Sequence, residues 1–216
     1  MDGLHYRLVS TIIAFLRFMK RDVNKRSSTS GAIRIISGQY RGRKLPVLNA
    51  QGLRPTTDRL KETVFNWLMP YVTDSHCLDM FAGSGSLGLE ALSRYASSCT
   101  FLEMDKQAAN LIKQNIDTLS IDQRFTQVLH GDALQLCRNL SKRFDMVFID
   151  PPFNQQLIPK SIDTLVECEL LAVDAIVYIE CERQNSLYQV PESWYLLKQK
   201  ETNTVSSRVY QLTQLT

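Results

Sequence analysis

From His76 onward the apolar residues come in short blocks separated by longer stretches with helical spacing. Cys77–Phe81, Cys99–Glu103, Phe125–Leu129 and Phe144–Ile149 read as buried strands, because they are near-continuous apolar runs bounded by turn residues. Between them the spacing predicts helices from the 82–88 loop to Tyr95, from about Lys106 to Leu119, and a short one opened by Asp132. A further helix is predicted over Leu157–Cys168, and further strands at Ala175–Glu180, Trp194–Lys200 and Val205–Leu212. Strands that alternate with helices imply an α/β, doubly wound, mostly parallel seven-stranded sheet. The last two strands have no helix between them, so the C-terminal strand is expected to run antiparallel.

Upstream the pattern changes. Ile33–Ser37 and Arg43–Val47 flank Gly38-Gln39-Tyr40-Arg41-Gly42, the pattern of a small β-hairpin with basic residues at its turn. Arg54-Pro55-Thr56-Thr57-Asp58-Arg59 leads into a helix to about Met69, capped by Thr56 or Thr57, with Val64, Phe65 and Leu68 as its apolar stripe. The organisation is then a tail over 1–30, a basic hairpin extension over 31–53 and a main domain over 54–216. The run Leu8–Phe18 is too short to span a bilayer. It lacks a small-residue cleavage site, and Met19 is an alternative start. Ser27–Gly31 reads as an unstructured lead-in.

Charge sharpens the division. Residues 1–61 carry 13 Lys/Arg against 3 Asp/Glu, and residues 62–216 carry 12 against 19, within a net charge of +3. A basic front on an acidic body suggests that the front meets a polyanion. Tyr40, Arg41, Arg43 and Lys44 can grip phosphates and stack a base. Arg54 and Arg59 are candidates to line a cleft. The five cysteines and three histidines show no ligand spacing, so no metal site is expected and the thiols are read as reduced and cytoplasmic.

Candidate chemistry lies at the strand ends. Gly83-Ser84-Gly85-Ser86-Leu87-Gly88 has the GxGxxG spacing on a strand-turn-helix, which indicates a nucleotide-type cofactor without choosing one. Glu103 ends the next strand, where it can hold ribose hydroxyls. Asp79, just before the loop, suits a cofactor bearing cationic ammonium and sulfonium groups. Asp132 is placed to accept from an adenine amino group. Acids at four successive strand tips favour S-adenosylmethionine over a dinucleotide. Asp150-Pro151-Pro152-Phe153 is a stiff corner with one carboxylate, proline carbonyls without competing N–H groups, and one ring. That set suits an exocyclic amine on a flat base: N–H bonds to Asp150 and the Pro151 carbonyl, and the ring stacked on Phe153.

Asp79-Met-Phe-Ala-Gly-Ser-Gly, Glu103-Met-Asp105, Gly131-Asp132-Ala133 and Asp150-Pro-Pro-Phe153 resemble the class I S-adenosylmethionine methyltransferases, with their Rossmann-like fold, that modify exocyclic amines. Ile33–Pro46 and Leu53–Phe65 resemble the front-end signatures of the RsmD family. The resemblance runs from about residue 32 to the C-terminus, and residues 1–18 have no counterpart in it. It implies a guanine-N2 methyltransferase acting on 16S rRNA in an assembled or nearly assembled 30S particle. It also implies that Asp79, Phe81, Gly83, Gly85, Glu103 and Asp132 hold S-adenosylmethionine, and that Asp150, Pro151, Pro152 and Phe153 form the catalytic corner. Two other readings share parts of the pattern. A DNA adenine-N6 methyltransferase has the same tetrapeptide, but 216 residues leave little room for target recognition. A non-catalytic ribosome assembly factor is opposed by the intact corner and glycine loop. The chain is expected to be a monomer, since no long apolar helix face stands out.

Overall fold

The structure, a computed structural model, describes residues 31–48, 58–153 and 155–213. The tail over 1–30, Arg54 and the Thr56/Thr57 cap lie outside the described residues. The main sheet is built from β3 (His76–Asp79), β4 (Ser98–Glu103), β5 (Thr126–His130), β6 (Phe144–Ile149), β7 (Leu171–Glu182), β8 (Trp194–Glu201) and β9 (Val205–Leu212). Its seven strands run in the order β5-β4-β3-β6-β7-β9-β8, and β9 is antiparallel to both of its neighbours. The predicted topology therefore holds. Crossovers leave β3 on one side toward β4 and on the other toward β6, so the strand order reverses between β3 and β6.

Each face of the sheet is covered. Helices α1 (Asp58–Val72), α2 (Ser86–Ser93) and α3 (Lys106–Thr118) pack on the face of Cys77, Phe101, Phe148 and Tyr178. Helices α4 (Ala133–Cys137) and α5 (Leu157–Glu167) cover the face of Leu78, Val147 and Ile179. Val64, Phe65 and Leu68 are buried as the stripe of α1 requires. Gly88 has a packing reason: a Cβ there would lie 2.2 Å from the Phe101 ring and 2.7 Å from Cys99 Sγ. The helix can lie so close to β4 only without a side chain.

The predicted strand Ala175–Glu180 is twice as long as the apolar run suggested, spanning Leu171–Glu182. Its first half is hidden by Asp174, which takes a positive φ of 60°, and the pairing with β6 shifts there. Helix α1 passes its expected end at Met69 and takes Pro70 into its last turn. A proline near a helix end forfeits one backbone bond to the carbonyl four residues back.

The hairpin of β1 (Gly31–Arg34) and β2 (Lys44–Val47) forms with Ile33 opposite Leu45. It is bound into the main domain. Ile33, Ile35, Leu45 and Val47 are buried and join the α1–α3 core. A two-stranded hairpin is marginal by itself in water, so this burial holds it. Its turn lies on the C-terminal end of α2. Gln39 N donates to Ser93 O at 2.8 Å, Tyr40 N to Ser93 Oγ at 3.0 Å, and Ser93 Oγ to Ser37 O at 2.5 Å. Gly38 is obligatory in this contact: its φ is +81°, and a Cβ would meet Ser93 O at 1.8 Å.

The attachment centres on Glu90, which is fully buried. It accepts from Ile36 N at 2.8 Å, Ser37 N at 3.0 Å and Arg94 Nε at 2.8 Å, and faces Lys61 Nζ at 3.6 Å. Lys61, 1% exposed, also donates to Arg34 O at 2.6 Å and Ser86 Oγ at 3.1 Å. Removing one member of such a group leaves the others desolvated and unpaired, a loss of about 3–5 kcal/mol. Glu90→Ala should therefore lower stability by about that amount in urea denaturation. A change of under about 1 kcal/mol, the value of an exposed pair, would show that the cluster does not hold the hairpin.

Candidate active site

The carboxyl ends of five adjacent strands form one rim. Reading across β5, β4, β3, β6 and β7, the acids at or just past the tips are Asp132, Glu103, Asp79, Asp150 and Glu180. Side chains alternate along a strand, so Asp79, Asp150 and Glu180 share the face of Cys77, Phe148 and Tyr178. The point where strand order reverses, between Asp79 and Asp150, is where open α/β sheets take their ligands.

Asp79 is 2% exposed and accepts from Gly88 N at 3.0 Å. That N–H belongs to the first turn of α2, whose positive end would otherwise receive a phosphate. A carboxylate already stands there. Glu103 joins two loops: Oε2 accepts from Gly83 N at 2.5 Å and Oε1 from Asp105 N at 2.7 Å. Each oxygen keeps a lone pair for a hydroxyl donor. Asp132 caps α4 by accepting from Gln135 N at 2.9 Å, so it serves the fold while its other oxygen stays available. Phe81 is half-buried and packs against the α4–α5 core. Met104, between Glu103 and Asp105, is 68% exposed at the rim; only its place in the sequence could have marked it.

At the corner after β6 Asp150 is half-buried, Pro151 buried and Pro152 exposed, while Phe153 stands 37% exposed. A large ring left open to water beside a carboxylate is poised for a flat partner. Burial raises Asp150 well above the ordinary carboxylate range, and the Glu180 and Asp79 charges add to it. Burial also raises Glu103, opposed by its backbone donors.

The remaining candidates lie in two places. Arg59 is exposed in the first turn of α1, at the rim end of that helix. Tyr40, Arg41, Arg43 and Lys44 lie around the hairpin turn and its return strand. The turn meets the C-terminal ends of α2 and α3, Arg43 Nη2 donating to Thr118 O at 3.0 Å. Both helices start at the rim and run away from it, so the turn is at least the length of α2, about 12 Å, from the acids. The structure thus does not bring the basic turn and the Asp150–Phe153 corner together. A groove of about 320 Å³ between α5 and Gln189–Pro191 contributes none of these residues.

Sequence reasoning missed Glu180. The rule that marked the other acids, a carboxylate ending an apolar run, applies equally to Ile176-Val177-Tyr178-Ile179-Glu180.

A doubly wound sheet with a glycine loop after β3 and this corner after β6 has the α/β methyltransferase fold. It is shared with a putative SAM-dependent methyltransferase from Streptococcus mutans at a TM-score of 0.66 and 14% identity, covering 97% of this chain and 67% of that one. The family model described as "Conserved hypothetical protein 95" matches residues 33–211. A protein of Haemophilus influenzae named "Ribosomal RNA small subunit methyltransferase D" is 50% identical over 85% of this chain and 96% of its own length. The protein of that name from Escherichia coli (strain K12) is 46% identical over 85% of this chain and 92% of its own length. The solved structure "Putative methyltransferase yhhF from Escherichia coli" superposes with a TM-score of 0.78 at 45% identity, covering 85% of this chain and 99% of that one. The chain belongs to the RsmD family.

Burial raises Asp79 to about 7 from its ordinary 3.8. The folded state then keeps a proton that the unfolded chain loses. Its stabilising contribution is full below the ordinary value and is lost as pH rises through about 7. Glu103, Asp150 and Glu180 shift in the same direction. Asp79→Asn should flatten the fall of the urea midpoint between about pH 4 and about pH 7. An unchanged slope would mean that Asp79 is ionised throughout.

Proposed function

We propose that this chain transfers a methyl group from S-adenosylmethionine to the exocyclic N2 of a guanine in 16S rRNA, within an assembled or nearly assembled small ribosomal subunit. One observation carries the reading: the Asp150–Phe153 corner stands at the strand-order reversal beside Asp79, with its ring exposed and its carboxylate half-buried. The similarity to proteins named for methylation of small-subunit ribosomal RNA supports the substrate class.

The residues present fit the donor. Asp79 occupies the α2 N-terminus with an acid, which leaves no place for a phosphate and whose ionised form a cationic group would favour. Glu103 with Gly83 and Gly85 shapes the ribose side, and Asp132 and Phe81 flank the base side. When bound, S-adenosylmethionine supplies an electrophilic methyl group whose bonding pair leaves with the sulfur. The protein orients the acceptor. Asp150 and the Pro151 carbonyl accept the two amine N–H bonds, Pro152 keeps the corner rigid, and Phe153 stacks on the base. So held, the nitrogen lone pair points out of the ring plane. Catalysis is then mainly positioning and local electrostatics.

An RNA loop base is already partly unstacked, which lowers the cost of bringing it into the corner. Arg59 at the rim holds a phosphate near the target; Arg54, outside the described residues, is a further candidate from the sequence. Tyr40, Arg41, Arg43 and Lys44, at the far end of α2 and α3, hold a different segment of the folded RNA. A ribosomal particle presents two such segments together; a short oligonucleotide does not. The chain acts as a monomer.

With methyl-labelled donor, unmodified 30S particles should take up label that digests to N2-methylguanosine, in preference to naked 16S rRNA and duplex DNA. Label in DNA alone would assign the adenine-N6 chemistry. Asp150→Ala should lower turnover by about 10²-fold or more while donor binding by calorimetry is retained. Turnover near the wild-type rate would remove Asp150 from the mechanism.

A further inference from the structure

Strand β7 is apolar from Ala175 to Ile179 and then presents Glu180, which is 5% exposed. A carboxylate so deep is costly unless hydrogen bonds satisfy it. Tyr178, two residues earlier on the same face and fully buried, donates its hydroxyl to Glu180 Oε2. That bond fixes the side chain and favours its ionised form against the upward push of burial. Oε1 has no hydrogen-bond partner among the described residues, and it is not sealed from solvent. The nearby cations are engaged elsewhere. Arg208 of β9 is turned to Ser186 O and the Tyr188 ring, Lys200 of β8 reaches Thr63 of α1, and Lys61 of α1 is held by Glu90. One oxygen of a fixed, nearly buried carboxylate is left to accept from a bound partner.

The sheet sets where that oxygen stands. Ile149 of β6 pairs with Ile179 of β7 in parallel register, so Asp150 and Glu180 lie one residue beyond the same rung. Neighbouring strands are about 4.8 Å apart, and alternation turns both side chains to the face of Phe148 and Tyr178. No hydrogen bond among the described residues joins the two carboxyls; they are separate acceptors at one edge of the corner. Two acceptors side by side match two donors side by side. Of the RNA bases, only guanine carries a ring N–H next to its exocyclic amine. Adenine and cytosine have a bare ring nitrogen there, and uracil has no amine.

We propose that Glu180 is the residue that selects guanine: while Asp150 and the Pro151 carbonyl hold the exocyclic N2, Glu180 Oε1 accepts the ring N1–H. Tyr178 holds Oε2, so that Oε1 is the oxygen turned to the base. The N1–H donor satisfies the second oxygen and favours the carboxylate further. Adenine at the same corner would set its N1 lone pair against that oxygen, leaving both desolvated and unpaired. No bond to hydrogen is broken in this recognition; N1 keeps its proton throughout. The inference rests on the guanine-N2 reading and deepens it by naming the group that reads the base.

The test keeps the amine and removes the N1 hydrogen. Methyl transfer is measured to unmodified 30S particles, and to particles whose 16S rRNA carries 2-aminopurine in place of the guanine that takes up label. 2-Aminopurine retains the exocyclic amine but has a bare N1. Wild type should prefer guanine by at least about 10²-fold in kcat/KM. In Glu180→Ala the two acceptors should come within about 10-fold of each other, with donor binding by calorimetry retained as the sign of an intact fold. Glu180→Gln, which preserves the packing, should narrow the preference in the same direction. A wild-type preference kept in both variants, or no preference in wild type, would overturn the role of Glu180 and leave the guanine-N2 reading standing. Wild type that labels no guanine in 30S particles would overturn the substrate reading, and this inference with it.

Discussion

A fully buried carboxylate, Glu90, ties the front of the chain to the sheet. Its two oxygens receive the backbone of the hairpin, the guanidinium of its own helix and the ammonium of α1. The apolar contacts of Ile33, Ile35, Leu45 and Val47 supply the larger part of the attraction, because they remove more area from water. They are non-directional, however. The hydrogen bonds to Glu90 fix where along α2 the hairpin lies. Lys61 extends this order to Ser86, the first residue of α2 and the end of the glycine loop. The cofactor loop is thus braced from below by the same charge cluster that seats the hairpin.

Five acids on one rim would be destabilising if all were ionised and unpaired, and the structure deals with each differently. Asp79 faces a helix N-terminus, Glu103 bridges two loops and Asp132 caps a helix. Glu180 accepts from the Tyr178 hydroxyl, and Asp150 follows Ile149, the residue of β6 that pairs with Ile179. The acids with backbone donors stand around the glycine loop and β5, and Asp150 stands at the Pro-Pro corner.

Much of this was legible in the chain. The bounds of β6, the strand-turn-helix around Gly83–Gly88 and the antiparallel end of the sheet follow from apolar runs and glycine spacing, which are local signals. What failed was long-range. Glu90 meets residues 54 and 53 positions away, and nothing in the period of α2 distinguishes it from a surface acid. The hairpin alternates as expected, but alternation does not say against which end of a helix its turn will rest. Its apolar face is part of the core, which the alternation alone does not reveal. Glu180 was readable by the same rule as its neighbours, since the apolar run Ala175–Ile179 ends on it; the kink at Asp174 hid only the first part of β7.

The placement of charge gives the proposed reading its physical sense. An acidic rim repels phosphate and accepts cations and neutral N–H donors. The basic groups stand at its edge and at the opposite end of the helices. A folded RNA approaching such a surface is sorted by electrostatics: its backbone is held at the periphery, and only a base, which carries no charge, can enter between Asp150 and Phe153. Had Arg41 and Arg43 lined the corner, as a docking hairpin beside the site would require, they would compete with the amine for Asp150. Separation by the length of α2 keeps the carboxylate free for the nucleotide it has to hold.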